Sequence, residues 1–314
     1  MRIAVMADIH SNSIAFRACL QEAERRGCTE YLFLGDYLGD LAKPQITMRM
    51  LEEIRNRYPC TFIRGNKEDY WIRHRMHPEE IWESGHTATG MLRYVMDSLT
   101  DTEIDWFEGM PISQVIRKDG YPPFVICHGS PFHTRESLRP DYDTDELMTK
   151  MPTDLVICGH FHMQVRYEKK GVCVINPGSV GVPLRSGGLA QFMTLEAKNG
   201  AWDVQFVSVP YDMEAAIGSM DQEKLYEKAP GWYRMTKLVL TTGLVSHADV
   251  VRRAAKAAQE QGISTELARI PEELWQKTID DLEEERHLPH QPAGPQNEDS
   301  WSAGGCAGDR VKRV

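Results

Sequence analysis

Five short polar motifs run along this chain, and each closes an apolar stretch. Ile3-Ala4-Val5-Met6 leads into Asp8-Ile9-His10, and Tyr31-Leu32-Phe33-Leu34 leads into Gly35-Asp36. Thr61-Phe62-Ile63 precedes Gly65-Asn66, Phe124-Val125-Ile126-Cys127 precedes His128-Gly129, and Leu155-Val156-Ile157-Cys158 precedes Gly159-His160-Phe161-His162. Short, partly β-branched apolar runs closed by glycine or a polar residue are strand signals. Between the first strands, residues 11 to 26 carry Ile14, Ala18, Cys19 and Ala23 at helical spacing, and Gly27 stops that helix. A second helix runs from near Pro44 through Met48, Leu51 and Ile54 and ends before Pro59. This alternation predicts an α/β fold with helices over a largely buried sheet. In such sheets chemistry collects beyond the carboxyl ends of the strands. The five motifs are therefore expected along one edge of one sheet.

Together the motifs offer two aspartates, one asparagine and four histidines. Oxygen and imidazole donors without thiolate suit Mn, Fe, Zn, Ni or Co rather than a soft-metal site. An aspartate has lone pairs enough to bridge two cations. Two cations roughly 3.5–4 Å apart can clamp a phosphoryl group and bring the pKa of a shared water toward about 7.

As an ordered set over residues 1 to about 210, these motifs resemble the calcineurin-like metallophosphoesterases, whose pattern is D-x-H, G-D, G-N-H-D/E, a later H and G-H-x-H. The resemblance implies a four-layer α-β-β-α sandwich of two mixed sheets. It implies two divalent transition-metal ions (Mn, Fe, Zn or Ni). The first would take Asp8, His10, Asp36 and His162, and the second Asp36, Asn66, His128 and His160, with Asp36 as the bridge. A hydroxide shared by the metals would attack phosphorus. Where the family usually places a histidine after Asn66, this chain has Lys67, followed by Glu68 and Asp69. That departure is a trait of the phosphodiesterase-like branch, so a small phosphodiester is the favoured substrate. Phosphomonoesters, phosphoproteins and dinucleoside polyphosphates stay open. Lys67 and His133 are the candidates to assist the leaving group. The rival of another class is a non-catalytic interaction scaffold, as in a retromer subunit of this fold whose metal site has degraded. The complete ligand set argues against it.

Three further residues are candidates for substrate binding: Asn12, Arg64 and Arg185. Asn12 is also a natural helix N-cap; a solvated strand-end arginine is an equal reading of Arg64, and an exposed charge is the plainer reading of Arg185. Asn176-Pro177-Gly178-Ser179-Val180-Gly181 reads as a Pro-Gly turn. His74, His77, His86, His247, His287 and His290 lack partner spacing and read as surface residues.

The catalytic domain is expected over residues 1–210, with an aromatic-rich helical insertion at about 67–110 whose start borders the site. Lys169-Lys170-Gly171 and Asn199-Gly200 mark two hairpins, expected to build a second sheet against the first. Residues 211–288 form a C-terminal helical extension. In it Ser246 to Asp249 is a capping box and Pro271 suits a first helical turn. The stripe Leu274, Trp275, Ile279 and Leu282 is available to pack on the sandwich, to fold over the site, or to join a homo-oligomer. The Pro-, Gly- and Asn-rich end, residues 289–314, reads as a loose tail.

The net charge of −10 excludes non-specific nucleic-acid binding, which needs a basic surface, but not a nucleotide substrate. No run reaches the ~20 apolar residues of a membrane helix. The chain enters a strand almost at once, so no signal peptide is expected. A cytoplasmic location is the expectation, and the seven cysteines, which form no C-x-x-C pair, are expected as free thiols.

Overall fold

The computed structural model describes residues 1–287 and 310–311. Strands β1 (Arg2–Met6), β2 (Glu30–Phe33) and β3 (Cys60–Phe62) pair in parallel, crossing over through helices α1 (Ser13–Arg25) and α2 (Pro44–Arg57). Asn12 caps α1 by accepting from the Ala15 N–H, and Ala15, Phe16, Cys19 and Ala23 bury one face of it. Three helices follow: α3 (Asn66–Met76), α4 (Thr87–Met96) and α5 (Asp101–Glu108). The second sheet then begins with β4 (Ser113–Ile116), β5 (Phe124–Cys127), the short α6 (Asp145–Met148) and β6 (Leu155–Cys158).

The two hairpins part company. The first, β7 (Gln164–Lys169) with β8 (Val172–Pro177), completes the second sheet in the order β4-β5-β6-β8-β7. The other, β9 (Ala190–Lys198) with β10 (Ala201–Val209), joins the first sheet antiparallel to β1, and β11 (Arg310–Val311) adds to its edge. The expectation that both hairpins build one second sheet is thus corrected. So is the expectation of a single sheet edge: three motif-bearing strands lie in one sheet and β5 and β6 in the other.

Period-two alternation makes the sandwich. Ile3 and Val5, Leu32 and Leu34 meet Ile126, Ile157 and Ile175 between the sheets. The intervening Ala4, Met6, Tyr31 and Phe33 face the helices. Val125, Cys127, Val156 and Cys158 turn the other way, toward Leu138 and Met148. Two stacked sheets, each covered on its outer face, are the expected four layers.

The C-terminal helices are α7 (Met213–Gln222), α8 (Leu225–Lys228), α9 (Pro230–Thr242), α10 (His247–Glu260) and α11 (Glu272–His287). The box at Ser246 and Asp249 caps α10 as expected. Trp275 and Ile279 are fully buried, Trp275 in a cluster with Ala88, Ala254 and Ala258. The stripe is consumed within the chain, where α11 packs on α9 and α10. Helix α4 meets this layer closely: a Cβ on Gly90 would sit 2.0 Å from the Lys228 carbonyl oxygen. The insertion and the extension therefore share one helical layer. Among the described residues no helix is long and apolar enough to cross a membrane. Cys19, Cys28, Cys60, Cys127 and Cys158 carry free thiols, whereas Cys173 is disulfide-bonded, against expectation. His290 and the tail apart from 310–311 lie outside the described residues.

Candidate metal centre

The seven motif residues converge across the ends of both sheets. Asp8, His10, Asp36, Asn66 and His128 are buried, while His160 and His162 are half-buried and form the open side. His162 Nε2 lies 3.2 Å from Asp8 Oδ1 and 3.3 Å from His10 Nε2. On the other side His128 Nε2 lies 3.1 Å from Asn66 Oδ1, and its ring packs edge-on to His160 at 5.2 Å between centroids. Asp36 stands between them, with Oδ2 3.7 Å from His10 Nε2 and Oδ1 3.4 Å from His128 Nε2. Asp8, His10 and His162 form one cluster of ligand atoms within 4.8 Å of one another, and Asp8, Asp36 and His128 form a second.

The backbone aims these groups at a cost. Asp8, His10, Asp36, His160 and His162 all have φ between 50° and 74°. Non-glycine residues rarely occupy this region, at roughly 1–3 kcal/mol each, and persist there only when their surroundings over-determine them. The surroundings are visible. Glu68 is fully buried and accepts from the N–H groups of Asp36, Tyr37 and Gly65, tying the turn after β2 to the turn after β3. A Cβ on Gly65 would lie 2.3 Å from Asp36 Oδ1, so only glycine lets the two turns meet. Asn176 donates to the Gly159 carbonyl, and the Ser179 hydroxyl and Gly181 N–H both donate to the Asp8 carbonyl. The Asn176–Gly181 segment is thus more than a turn: it braces the two motif loops from behind.

Electrostatics follow from burial and crowding. Burial works against charge on Asp8, but the imidazoles of His162, His10 and His128 hold its carboxyl well below the usual range. Burial would also discharge His10, yet Asp40 first, then Asp8 and Asp36, push it up to about 10. His160 is lowered to about 4 by burial and by His128. His128 turns Nδ1 to the Leu34 carbonyl at 2.7 Å, which leaves Nε2 as the ligating atom. Facing imidazole nitrogens beside two buried carboxylates are a donor set that fits divalent transition metals, whose binding would displace the His10 proton.

The model of the calcineurin-like phosphoesterase superfamily domain matches residues 1–200, all seven of these positions included. The chain belongs to this family. A curated relative, the uncharacterized protein MJ0912 of Methanocaldococcus jannaschii, is 26% identical over 243 residues, covering 72% of this chain and 94% of that one. The solved structure of hypothetical protein PH1004 from Pyrococcus horikoshii covers 78% of this chain and 99% of its own, with a TM-score of 0.65 and 21% identity. A metallophosphoesterase from Sphaerobacter thermophilus gives the same coverages and identity with a TM-score of 0.59. At such identity these two structures speak to the shared fold.

The remaining expected residues divide. Lys67 is buried at the site, its N–H donating to Asp36 Oδ1 and its Nζ ion-paired with Asp40 at 2.8 Å. His133 is exposed, and its Nδ1 accepts from the Arg135 N–H. Asn12 spends both ends of its side chain on scaffold, accepting from Ala15 and donating to the Gly181 carbonyl. It caps α1. Arg64 pairs with Asp69 at 2.9 Å and donates to the Glu108 carbonyl. Arg185 is exposed on a loop bonded to Gly243, beside a cavity lined by Phe161, Gln164 and Phe206.

Sequence reasoning missed the groups that contact His10 and Lys67. Asp40 Oδ2 lies 3.0 Å from His10 Nδ1, an ion pair off the hydrogen-bond direction, and Asp40 Oδ1 accepts from both Lys67 Nζ and Trp232 Nε1. His247 corrects the surface reading: its side chain is 11% exposed, it stacks on Trp232, and Nδ1 is 3.6 Å from Asp40. His74 also departs from a plain surface role by stacking on Trp82, and His86 caps α4. The Gly-Asp pair at 39–40, four residues after Asp36, is the signal that repeated the motif.

Proposed function

We propose that this protein is a phosphoester hydrolase carrying two divalent transition metals, with a small phosphodiester as its favoured substrate. The observation that carries the reading is Asp36, whose two carboxylate oxygens face histidines of different clusters. Asp8, His10, Asp36 and His162 would hold one ion, and Asp36, Asn66, His128 and His160 the other. When bound, the pair supplies Lewis acidity and an acidified water. In the hydrolysis, a water oxygen bonds to phosphorus and one ester P–O bond breaks. One proton of that water passes to solvent, and the departing oxygen gains one.

Lys67 has a defined part in this. Burial opposes its charge, but Asp40 and Asp36 raise its pKa above the ordinary lysine value. A lysine so held keeps its proton and is a poor general acid. It serves as a fixed cation for a phosphate oxygen, which suits diesters whose leaving group needs little protonation. Asp40 orients both Lys67 and His10. His133 lies on the exposed loop after β5.

The test is metal analysis of protein purified without chelator, followed by mono- and diesters side by side with manganese added. Close to two ions per chain and faster diester turnover are expected. Stoichiometric metal without turnover on either class overturns the hydrolase reading, and faster monoester turnover overturns the diester preference.

A further inference from the structure

A cavity of about 280 Å³ opens directly beside the ligand set. Lys67 and Gly39 form its inner end, and a Cβ on Gly39 would lie 3.4 Å from His10 Nδ1. Its walls come from two parts of the chain: Tyr70, Trp82 and Leu92 of the insertion, and Trp232 of α9. Its outer lip is the turn Glu266–Ala268, just before α11. The extension thus supplies one wall and the lip.

We infer that this cavity receives one ester group of the substrate, and that the group is a flat heterocycle of nucleoside size. The inference rests on the hydrolase reading for where the phosphate sits. Three observations carry it further. The wall rings are held in place by partners: Trp82 stacks on His74 at 3.9 Å, Trp232 stacks on His247 at 5.0 Å, and the Arg135 guanidinium lies 4.8 Å over Tyr70. Rings immobilised in this way bind planar groups with little ordering cost, and base–aromatic stacking contributes roughly 1–3 kcal/mol per base.

The lining also carries polar side chains: Arg73, paired with Glu80; Arg135, over Tyr70; Thr89, bonded to the Glu83 backbone; and Glu266, paired with Arg269. A nucleobase edge has donors and acceptors to meet such a lining, and an aliphatic group has none. Finally, Lys67 joins the cavity to the ligand set: its N–H donates to Asp36 Oδ1, and its Nζ lies 5.0 Å over the Trp232 ring, with Trp82 and Leu92 lining the same cavity. A phosphate held by Lys67 would point its organic group into the cavity.

The experiment compares two diesters with the same p-nitrophenolate leaving group, thymidine 5′-p-nitrophenyl phosphate and methyl p-nitrophenyl phosphate, on the full chain with manganese. The thymidine ester is expected to show at least tenfold higher kcat/KM, carried by KM. Leu92→Trp, which fills the cavity, and Ala268→Trp, at the exposed lip where folding is not at stake, should each bring the ratio of the two esters toward one. Equal kcat/KM in the parent chain, or a ratio that neither variant moves, overturns the proposal. If neither ester turns over, the hydrolase reading fails, and calorimetric titration of chelator-treated protein with thymidine 5′-monophosphate decides alone. Saturable binding weakened at least tenfold by either variant upholds the cavity's role, and no binding, or binding indifferent to both, overturns it.

Discussion

The strand-end loops and the helical layer of α4 and α9–α11 are held by opposite means. In the loops, five of the seven expected ligands sit at positive φ, and buried polar groups such as Glu68 and Asn176 fix them. In the helical layer, apolar stripes do the fixing: Trp275, Ile279 and Met235 are nearly or fully buried, and the backbone is regular. Strain is concentrated where chemistry is proposed, and relaxed packing where an organic group is proposed to bind. The difference predicts that loop changes strike turnover before stability, and that helix changes strike stability before turnover.

The sharpest way to break this contrast is Asp36→Ala. Turnover of a small diester should fall at least ~10³-fold, about 4 kcal/mol in the barrier, with metal content reduced and the melting temperature little changed. Steady-state kinetics beside calorimetry reads both. Retained turnover would dissolve the distinction. Trp275→Ala is the converse. Its ring is fully buried, and truncation should cost about 3–5 kcal/mol of stability, measured by denaturant titration, while kcat on the methyl ester survives below the melting temperature. Equal losses in both would mean the layers are one unit.

His247 sharpens the boundary between the two regions, since it reaches from α10 to Asp40. Burial, then Lys67 and His10, outweigh the pull of Asp40 and lower it to about 4. It is neutral in the folded chain and titrates near 6.5 when unfolded. The unfolded state therefore binds more protons between those values. The contribution is full above pH ~6.5 and is lost as pH falls toward 4, up to roughly 3 kcal/mol. Stability measured at pH 7 and pH 4.5 should show a smaller drop in His247→Gln than in the parent, and an identical drop would remove His247 from the account. The smallest effect is Ser246→Ala, which unseats the cap of α10 and should cost about 1 kcal/mol, visible as a modest fall in melting temperature with kinetics unchanged.

The ligand set was legible because each member follows directly on a strand, so local pattern and chemistry coincide. Asp8, His10, Asp36, Asn66, His128, His160 and His162 all reached the same place. Asp40 was not legible in the same way. Its meaning depends on His10, Lys67, Trp232 and His247, which come to it from four other segments. His247 looked like a surface histidine because its partners Asp40, Trp232 and Thr236 all lie on other segments of the chain. The sheet membership of the hairpins was hidden for another reason. Strand periodicity says which face is apolar, but β9 and β7 carry no local mark of whether β1 or β8 will be the neighbour. Arg64 and Asn12 illustrate the converse, in which a residue suited to phosphate also has structural partners, Asp69 in one case and a helix start in the other.

The brace running from Asn176 to Gly181 has a practical corollary. Since it fastens the Asp8 and Gly159 turns from the rear, protein rather than any arriving ion sets how those two turns are spaced. On the proposed dinuclear reading, a chain stripped of cations would keep its grip in register, and reloading would be governed by dehydration of the incoming ion and proton departure from His10 rather than by any rebuilding of the fold.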